Sequence, residues 1–168
     1  VNLYYMETTT RKIKNSYFWK IYLESIDFEK WLLMVLNLSN IGCFLKNGRN
    51  PTTFICLVVK LHEFKPSFSV IKELIKNDSN PIIRLIGAFY IRFYYKPLII
   101  YKLLEPLYYD YRKVPVLIDY NKTKMICLDI IIDSLLSKTH IMGAKLSSIV
   151  KRSIFEKQKI LSINSFYH

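Results

Sequence analysis

The sequence has few of the residues on which catalytic loops and membrane-spanning helices depend. Of its 168 residues only four are glycine and three are cysteine, and 13 acidic side chains stand against 25 basic ones. Four glycines leave little room for a phosphate-binding loop, and no G-x-x-x-x-G-K-S/T pattern occurs. The longest uncharged run, Trp31 to Leu45, contains Asn37 and is shorter than the roughly 20 apolar residues of a membrane-spanning helix. The sequence therefore predicts neither a nucleotide loop nor a membrane partner.

The cysteines and histidines form no catalytic or metal-binding pattern. Widely spaced cysteines in apolar sequence indicate buried free thiols in a reducing compartment: Cys43, Cys56 and Cys127. The histidines are isolated from one another, with no H-E-x-x-H pattern: His62, His140 and His168. Glu105 and Asp110 are five residues apart, which separates them by roughly 140° on a helix. The sequence predicts no enzyme, no catalytic residue, no metal site, no cofactor and no small-molecule substrate.

Segments of helical periodicity, separated by prolines and capping residues, fill nearly the whole chain. The predicted helices lie at about 27–37, 51–63, 67–77, 81–94, 128–137 and 142–161, with a further helix opened by Pro97. Only residues 114–128, which contain the turn-like sequence Asp119-Tyr120-Asn121-Lys122, favour a short hairpin. The predicted fold is all-α. It is a single multi-helical domain over residues 1–168, with one short β-hairpin near residues 114–128 and ends that fray, the C-terminal one after Ser162.

Two of the predicted helices carry features that bear on packing. Asp27 can cap the helix of residues 27–37. The apolar face of that helix is predicted to comprise Phe28, Trp31, Leu32, Val35 and Leu36. The helix of residues 81–94 is apolar nearly all round, which favours a central position, and Gly87 in its middle favours a close helix crossing. Arg84 and Arg92 of that helix must reach water or an acidic partner, because an unpaired buried guanidinium is too costly.

The formal net charge of +12 would attract polyanions, including RNA. Basic residues gather near both ends of the chain, and the candidates for an RNA-facing surface are Arg11, Lys12, Lys14, Lys151 and Arg152. The alternative is a merely solvated surface, because lysine greatly outnumbers arginine and the whole composition is typical of an A/T-biased genome. The charge alone does not decide between the two.

Residues 104–113, the signature segment, combine an apolar stripe with a proline and charged residues. Leu104, Leu107, Tyr108 and Tyr111 have i, i+3, i+4, i+7 spacing, which predicts one helix face docked on the core. Pro106 lacks the N–H that an α-helix needs and is predicted to bend the helix.

The signature segment resembles the central motif of the pre-mRNA-splicing factor 38 family. Three further segments are similar to family elements in the same order: residues 50–57, 71–77 and 84–92. A looser match covers residues 15–20, so the resemblance runs from about Arg11 to about Arg152. One departure is Phe93-Tyr94-Tyr95, which stands where the family has a Leu-Thr-Gly corner.

This resemblance implies a non-catalytic spliceosomal scaffold protein in the nucleus. In the family, the globular domain is associated with the tri-snRNP, serves spliceosome maturation and activation, and binds helical segments of other spliceosomal proteins. The alternative is a basic helical RNA-binding module that contacts snRNA directly. The candidate partner-binding residues are the polar and projecting members of the signature segment: Glu105, Tyr109, Asp110, Arg112 and Lys113. Internal pairing of these groups is the other interpretation.

Overall fold

The structure, a computed structural model, describes residues 3–46 and 48–162, and helices dominate this part of the chain. The α-helices are α1 (Leu3–Lys14), α2 (Phe28–Leu36), α3 (Thr53–Glu63), α4 (Phe68–Lys76), α5 (Pro81–Tyr94), α6 (Pro97–Leu104), α7 (Leu128–Ser137) and α8 (Arg152–Lys157). A π-helical turn spans Trp19–Leu23, and a 3₁₀ turn spans Glu105–Tyr109. The strands are β1 (Lys113–Asp119), β2 (Lys122–Cys127), β3 (His140–Ile141) and β4 (Ala144–Lys145).

The helices begin where the sequence places capping residues. The Asp27 carboxylate accepts a hydrogen bond of 2.8 Å from the backbone N–H of Lys30 and so caps α2. The Asn80 side chain accepts one of 2.9 Å from the N–H of Ile82, with Pro81 in the first turn of α5. These side chains satisfy N–H groups that have no partner within the helix. The predicted starts of α2 and α5 are confirmed.

Helix α5 is the centre of the core, as its sequence predicts. Residues 82–93 are all buried, and α5 packs against α3, α4, α6 and α7. Phe89 meets Phe54 of α3 edge to face, with ring centroids 5.0 Å apart. The fully buried Trp31 of α2 donates its indole N–H to the carbonyl of Leu57 at 3.0 Å. A polar tip with a partner lets this large side chain enter the core at little cost.

Helices α4 and α5 cross closely at Gly87. A Cβ atom at this position would lie 2.8 Å from Cγ1 of Ile75 and 3.1 Å from its backbone nitrogen. No side chain fits without moving α4, so the predicted close crossing is confirmed.

The variant Gly87→Ala should lose about 1–3 kcal/mol of unfolding free energy, because overpacking strains the α4–α5 contact. The direction is informative, since the same change in an uncrowded helix interior stabilises by up to about 1 kcal/mol. The shift in the midpoint of urea unfolding measures this change in stability. An increase in stability would contradict the close crossing.

Strands β1 and β2 form the predicted hairpin near residues 114–128. They pair antiparallel from Lys113 with Cys127 to Asp119 with Lys122. Asn121 in the turn has φ of 57°, a left-handed conformation that asparagine tolerates. This confirms a mostly helical fold with a short hairpin. Strands β3 and β4 form a second, smaller hairpin that the sequence does not predict.

The predicted helix over residues 142–161 is wrong for most of its length. Met142 and Gly143 both have positive φ, 46° and 80°, and they form the turn between β3 and β4. Two successive left-handed residues cannot lie within an α-helix. Only Arg152–Lys157 is helical in this region. The predicted fraying beyond Ser162 lies outside the described residues.

The signature segment is not one bent helix. Helix α6 ends at Leu104, and the chain continues as the 3₁₀ turn that contains Pro106 before it becomes extended at Asp110. Leu104 and Leu107 are buried as predicted. Tyr111 is 67% exposed, so its predicted place on the core face is wrong. The helical spacing fails there because the extended chain turns Tyr111 away from the core.

Candidate functional site

An open groove of about 1030 Å³ lies beside the signature segment and is named here the signature groove. It lies where α4, α5, α6, the 3₁₀ turn and the extended chain after it meet. Its lining residues are Ile75, Lys76, Asp78, Arg84, Lys102, Leu103, Pro106, Leu107, Tyr109, Asp110, Tyr111 and Arg112. The groove therefore combines apolar, aromatic and charged side chains.

A buried carboxylate organises the charged side of the groove. The Asp110 side chain is 8% exposed and accepts hydrogen bonds from Arg84 Nη1 at 2.6 Å and Arg112 Nη2 at 2.6 Å. Arg112 Nε donates to the second oxygen at 2.8 Å. The Arg112 side chain is the largest influence that lowers the pKa of Asp110 to about 2, with Arg84 acting in the same direction. Asp110 is therefore ionised and paired at neutral pH.

The structure brings three of the five predicted partner-binding residues together in the groove. Asp110 pairs with both Arg84 and Arg112, so Asp110 and Arg112 are paired internally. Tyr109 is 65% exposed at the groove. Lys113 is exposed at the start of β1 and does not line the groove. Among the predicted residues, Tyr109 and Lys113 present the most side-chain surface to solvent.

Glu105, the fifth predicted residue, lies in a separate internal ion pair. Its carboxylate accepts hydrogen bonds from Arg152 Nε and, at 3.2 Å, from Arg152 Nη2. Arg152 also pairs with Glu156 and is only 8% exposed. The prediction that Arg152 faces RNA is wrong, because the Arg152 guanidinium is buried between the carboxylates of Glu105 and Glu156. It attaches α8 to the 3₁₀ turn instead.

The other predicted RNA-facing residues are exposed. Lys14 is paired with Glu63 at 2.5 Å, and Lys12 lines a second pocket of about 300 Å³ with Lys145. The hydroxyl-bearing side chains Thr8 and Thr9 line the same pocket. Arg11 and Lys151 are exposed without lining it.

Helix α2 carries an apolar surface that the sequence misassigns. Trp31 and Val35 are buried as predicted. Four other apolar residues form the α2 apolar face, with exposures of 42%, 38%, 59% and 52%: Phe28, Leu32, Leu33 and Leu36. Three of them were predicted to belong to the buried face. An exposed apolar helix face of this kind is a candidate interaction site.

The described residues offer no sign of a metal centre or a membrane span. Within residues 3–46 and 48–162, no three His, Cys, Asp or Glu side chains are placed to hold a metal ion. In the same ranges, no helix is both long and apolar enough to cross a bilayer. His62 stacks on Tyr94 with ring centroids 3.8 Å apart, and His140 is exposed. His168 lies outside the described residues.

A mostly helical domain with a charged groove and an exposed apolar helix face has surfaces suited to binding other proteins. The model of the PRP38 family matches residues 2–159, so the chain belongs to the PRP38 family. The chain is 32% identical to pre-mRNA-splicing factor 38 of Arabidopsis thaliana over 150 residues, which are 89% of this chain and 42% of the relative. It is 32% identical to pre-mRNA-splicing factor 38 of Drosophila melanogaster over 146 residues, 87% and 44% of the two chains.

The chain thus spans less than half the length of these relatives. The family to which it belongs is one of spliceosomal pre-mRNA-splicing proteins. Its fold is similar to a chain in the crystal structure of the Snu23-Prp38-MFAP1(217-258) complex of Chaetomium thermophilum. The TM-score is 0.83 at 27% sequence identity, covering 94% of this chain and 82% of that one. The resemblance seen in the signature segment is therefore confirmed as family membership.

Proposed function

We propose that this domain is a non-catalytic spliceosomal scaffold protein that acts in the nucleus by binding helical segments of other spliceosomal proteins. Through these partners it associates with the tri-snRNP and serves spliceosome maturation and activation. The observation that carries the proposal is the similarity, at a TM-score of 0.83, to a chain crystallised with other splicing proteins. Relatives that are splicing factors indicate no catalytic activity.

Two surfaces of the described chain suit protein partners. The α2 apolar face presents Phe28, Leu32, Leu33 and Leu36 within about 140° of the helix circumference, which suits the apolar stripe of another helix. The signature groove offers apolar side chains beside charged ones, with exposed Tyr109 at its edge. Tyrosine and arginine are the residue types on which binding energy concentrates in protein interfaces. Two surfaces also suit a scaffold, which holds more than one partner.

The double variant Leu33→Asp/Leu36→Asp should weaken binding of one helical partner by at least about tenfold, because it places two charges in an apolar contact. The two side chains are 59% and 52% exposed, so the fold should tolerate the change. Binding of Snu23 and of the MFAP1 segment of residues 217–258 named above is measured by isothermal titration calorimetry.

The variant Ile130→Asp is the matched control. Ile130 is 53% exposed on α7 and lines neither the α2 apolar face nor the signature groove, so its change adds a charge to an exposed apolar residue without touching α2. It should leave both affinities unchanged. The role of the α2 apolar face is refuted if the double variant binds both partners as tightly as the unaltered protein.

The second candidate function is direct contact with snRNA. Its support is the net charge of +12 and the pocket in which Lys12 and Lys145 lie beside the threonines of α1. Phosphate contacts of this kind would give an affinity that falls steeply with salt. Binding of a single-stranded RNA by the isolated domain, weakened by Lys12→Glu/Lys145→Glu, would favour this function. Partner binding in the absence of RNA favours the scaffold.

A further inference from the structure

Two acids hold the arginines of the signature groove, and they differ sharply in environment. Asp110 is buried, whereas the side chain of Asp78 is 89% exposed on the connection between α4 and α5. Asp78 nevertheless pairs with Nη2 of Arg84, and its backbone carbonyl accepts a hydrogen bond from Nη1 of Arg112. Asp78 thus contacts both arginines of the groove. An ion pair with so exposed a partner is weak and easily broken.

Arg84 retains unused hydrogen-bonding capacity in the groove. Its side chain is 10% exposed, yet its Nε–H has no hydrogen-bond partner among the described residues. A buried donor without an acceptor costs free energy and leaves the Arg84 guanidinium incompletely paired, while the Nη2 atom that Asp78 contacts is the one a ligand would compete for. Arg84 lines the signature groove, so an acceptor that enters there can reach the guanidinium.

The charge of the groove favours an acidic ligand. Four cationic side chains line it, Lys76, Arg84, Lys102 and Arg112, against the two acids already named. The apolar lining, which includes Leu103 and Leu107, favours a protein segment over a bare polyanion. A planar guanidinium binds a carboxylate through two parallel hydrogen bonds, which also fixes the orientation of the ligand.

We propose that Asp78 occupies the place of a partner's carboxylate, and that the signature groove receives an acidic amphipathic helix whose Asp or Glu displaces Asp78 from Arg84. This inference rests on the proposed scaffold function and assigns the chemistry of one partner. The apolar residues of the helix lie against the apolar lining, and its acid binds between Arg84 and the exposed lysines. Asp78 competes for the same guanidinium and keeps the free groove from binding anions indiscriminately.

The test is a comparison of Asp78→Asn with the unaltered protein. The probes are a synthetic amphipathic helical peptide with leucine and glutamate rows, and the same peptide with glutamine in place of glutamate. Fluorescence anisotropy measures both affinities. We expect Asp78→Asn to bind the glutamate peptide about two- to fivefold more tightly, which is the range for loss of one exposed competing ion pair. The glutamine peptide should bind more weakly and show no gain.

The matched control is Glu73→Gln, which removes the same charge from an exposed position of α4 outside the groove. An equal gain in this control would overturn the proposal, because general charge would then explain the effect. No gain in Asp78→Asn would overturn it too. A gain for single-stranded polyuridine but not for the glutamate peptide would assign the groove to RNA phosphate instead. Binding of Snu23 and the MFAP1 segment, measured in parallel, tests the scaffold function separately.

Discussion

Replacing Asp110 with asparagine should cost about 3–5 kcal/mol of unfolding free energy, because it leaves buried Arg84 without its buried counter-charge. The acid that remains beside Arg84 among the described residues is Asp78, which is 89% exposed and cannot compensate. The change also replaces one of the two carboxylate oxygens that accept hydrogen bonds from Arg112 with an NH2 group, which can only donate. Urea unfolding at neutral pH, followed by far-ultraviolet circular dichroism, measures the loss.

The control is Asp78→Asn, which breaks the other ion pair of Arg84. Its loss should stay within about 1 kcal/mol, because an exposed ion pair contributes little. Equal losses in the two variants would show that the burial of Asp110 has no energetic weight. That result would contradict the ion-pair network as the organiser of the groove.

The pH dependence of stability has a definite sign at this site. Folding lowers the pKa of Asp110 from 3.8 to about 2, so its contribution is complete above about pH 4. The contribution is lost as the pH falls through the interval between these values, because only the unfolded chain binds the proton there. Asp110→Asn should therefore flatten the stability profile between about pH 4 and pH 2. A profile parallel to that of the unaltered protein would contradict the shifted pKa.

Much of the fold could be predicted because its signals are local. Asp27 and Asn80 cap helices through hydrogen bonds to residues two or three positions away. Asn121 tolerates the left-handed turn that its own hairpin requires. The family motif of residues 104–113 is equally local, and it identifies the chain before any contact is known.

Features that depend on long-range pairing could not be predicted. Arg84 and Asp110 meet across 26 residues, and Arg152 and Glu105 across 47. Periodicity identified the apolar residues of α2 but could not decide how many of them the core has room to cover. The sequence therefore identified candidate residues of the signature segment, but which of them are buried and which are exposed became visible only in the structure.

The chain after α7 was mispredicted for a different reason. Residues 142–161 contain enough apolar residues to imitate a helix, but Gly143 adopts a φ of 80°. A Cβ there would lie 3.1 Å from Cβ of Phe44, so the glycine serves both the turn and a close approach to the loop before α3. Neither requirement is visible in the local sequence.

Arg92 is a buried charged residue whose hydrogen-bond partners could not be predicted from the sequence. The residue is 2% exposed, and two backbone carbonyls accept hydrogen bonds from it. Its Nε donates to the carbonyl of Leu135 at 2.6 Å, and its Nη2 donates to the carbonyl of Ser147 at 2.6 Å. Leu135 lies in the last turn of α7, where carbonyls lack helical partners and the helix dipole favours a cation. The partners that the structure shows for Arg92 are therefore backbone carbonyls, whereas Arg84 has the acidic partners that were predicted.

The variant Arg92→Ala should lose about 3–5 kcal/mol of unfolding free energy, because one buried and one half-buried carbonyl lose charged donors worth roughly 1.5–3 kcal/mol each. Burial lowers the pKa of Arg92 to about 10, which still leaves the guanidinium charged at neutral pH. Arg92→Lys should recover part of the loss, since one ammonium group cannot reproduce the fork that spans both carbonyls. Arg11→Ala, at an exposed position of α1, should change stability by less than about 0.5 kcal/mol. If Arg92→Ala unfolds at the same urea concentration as Arg11→Ala, Arg92 does not hold α7 and the chain after β4 to the core.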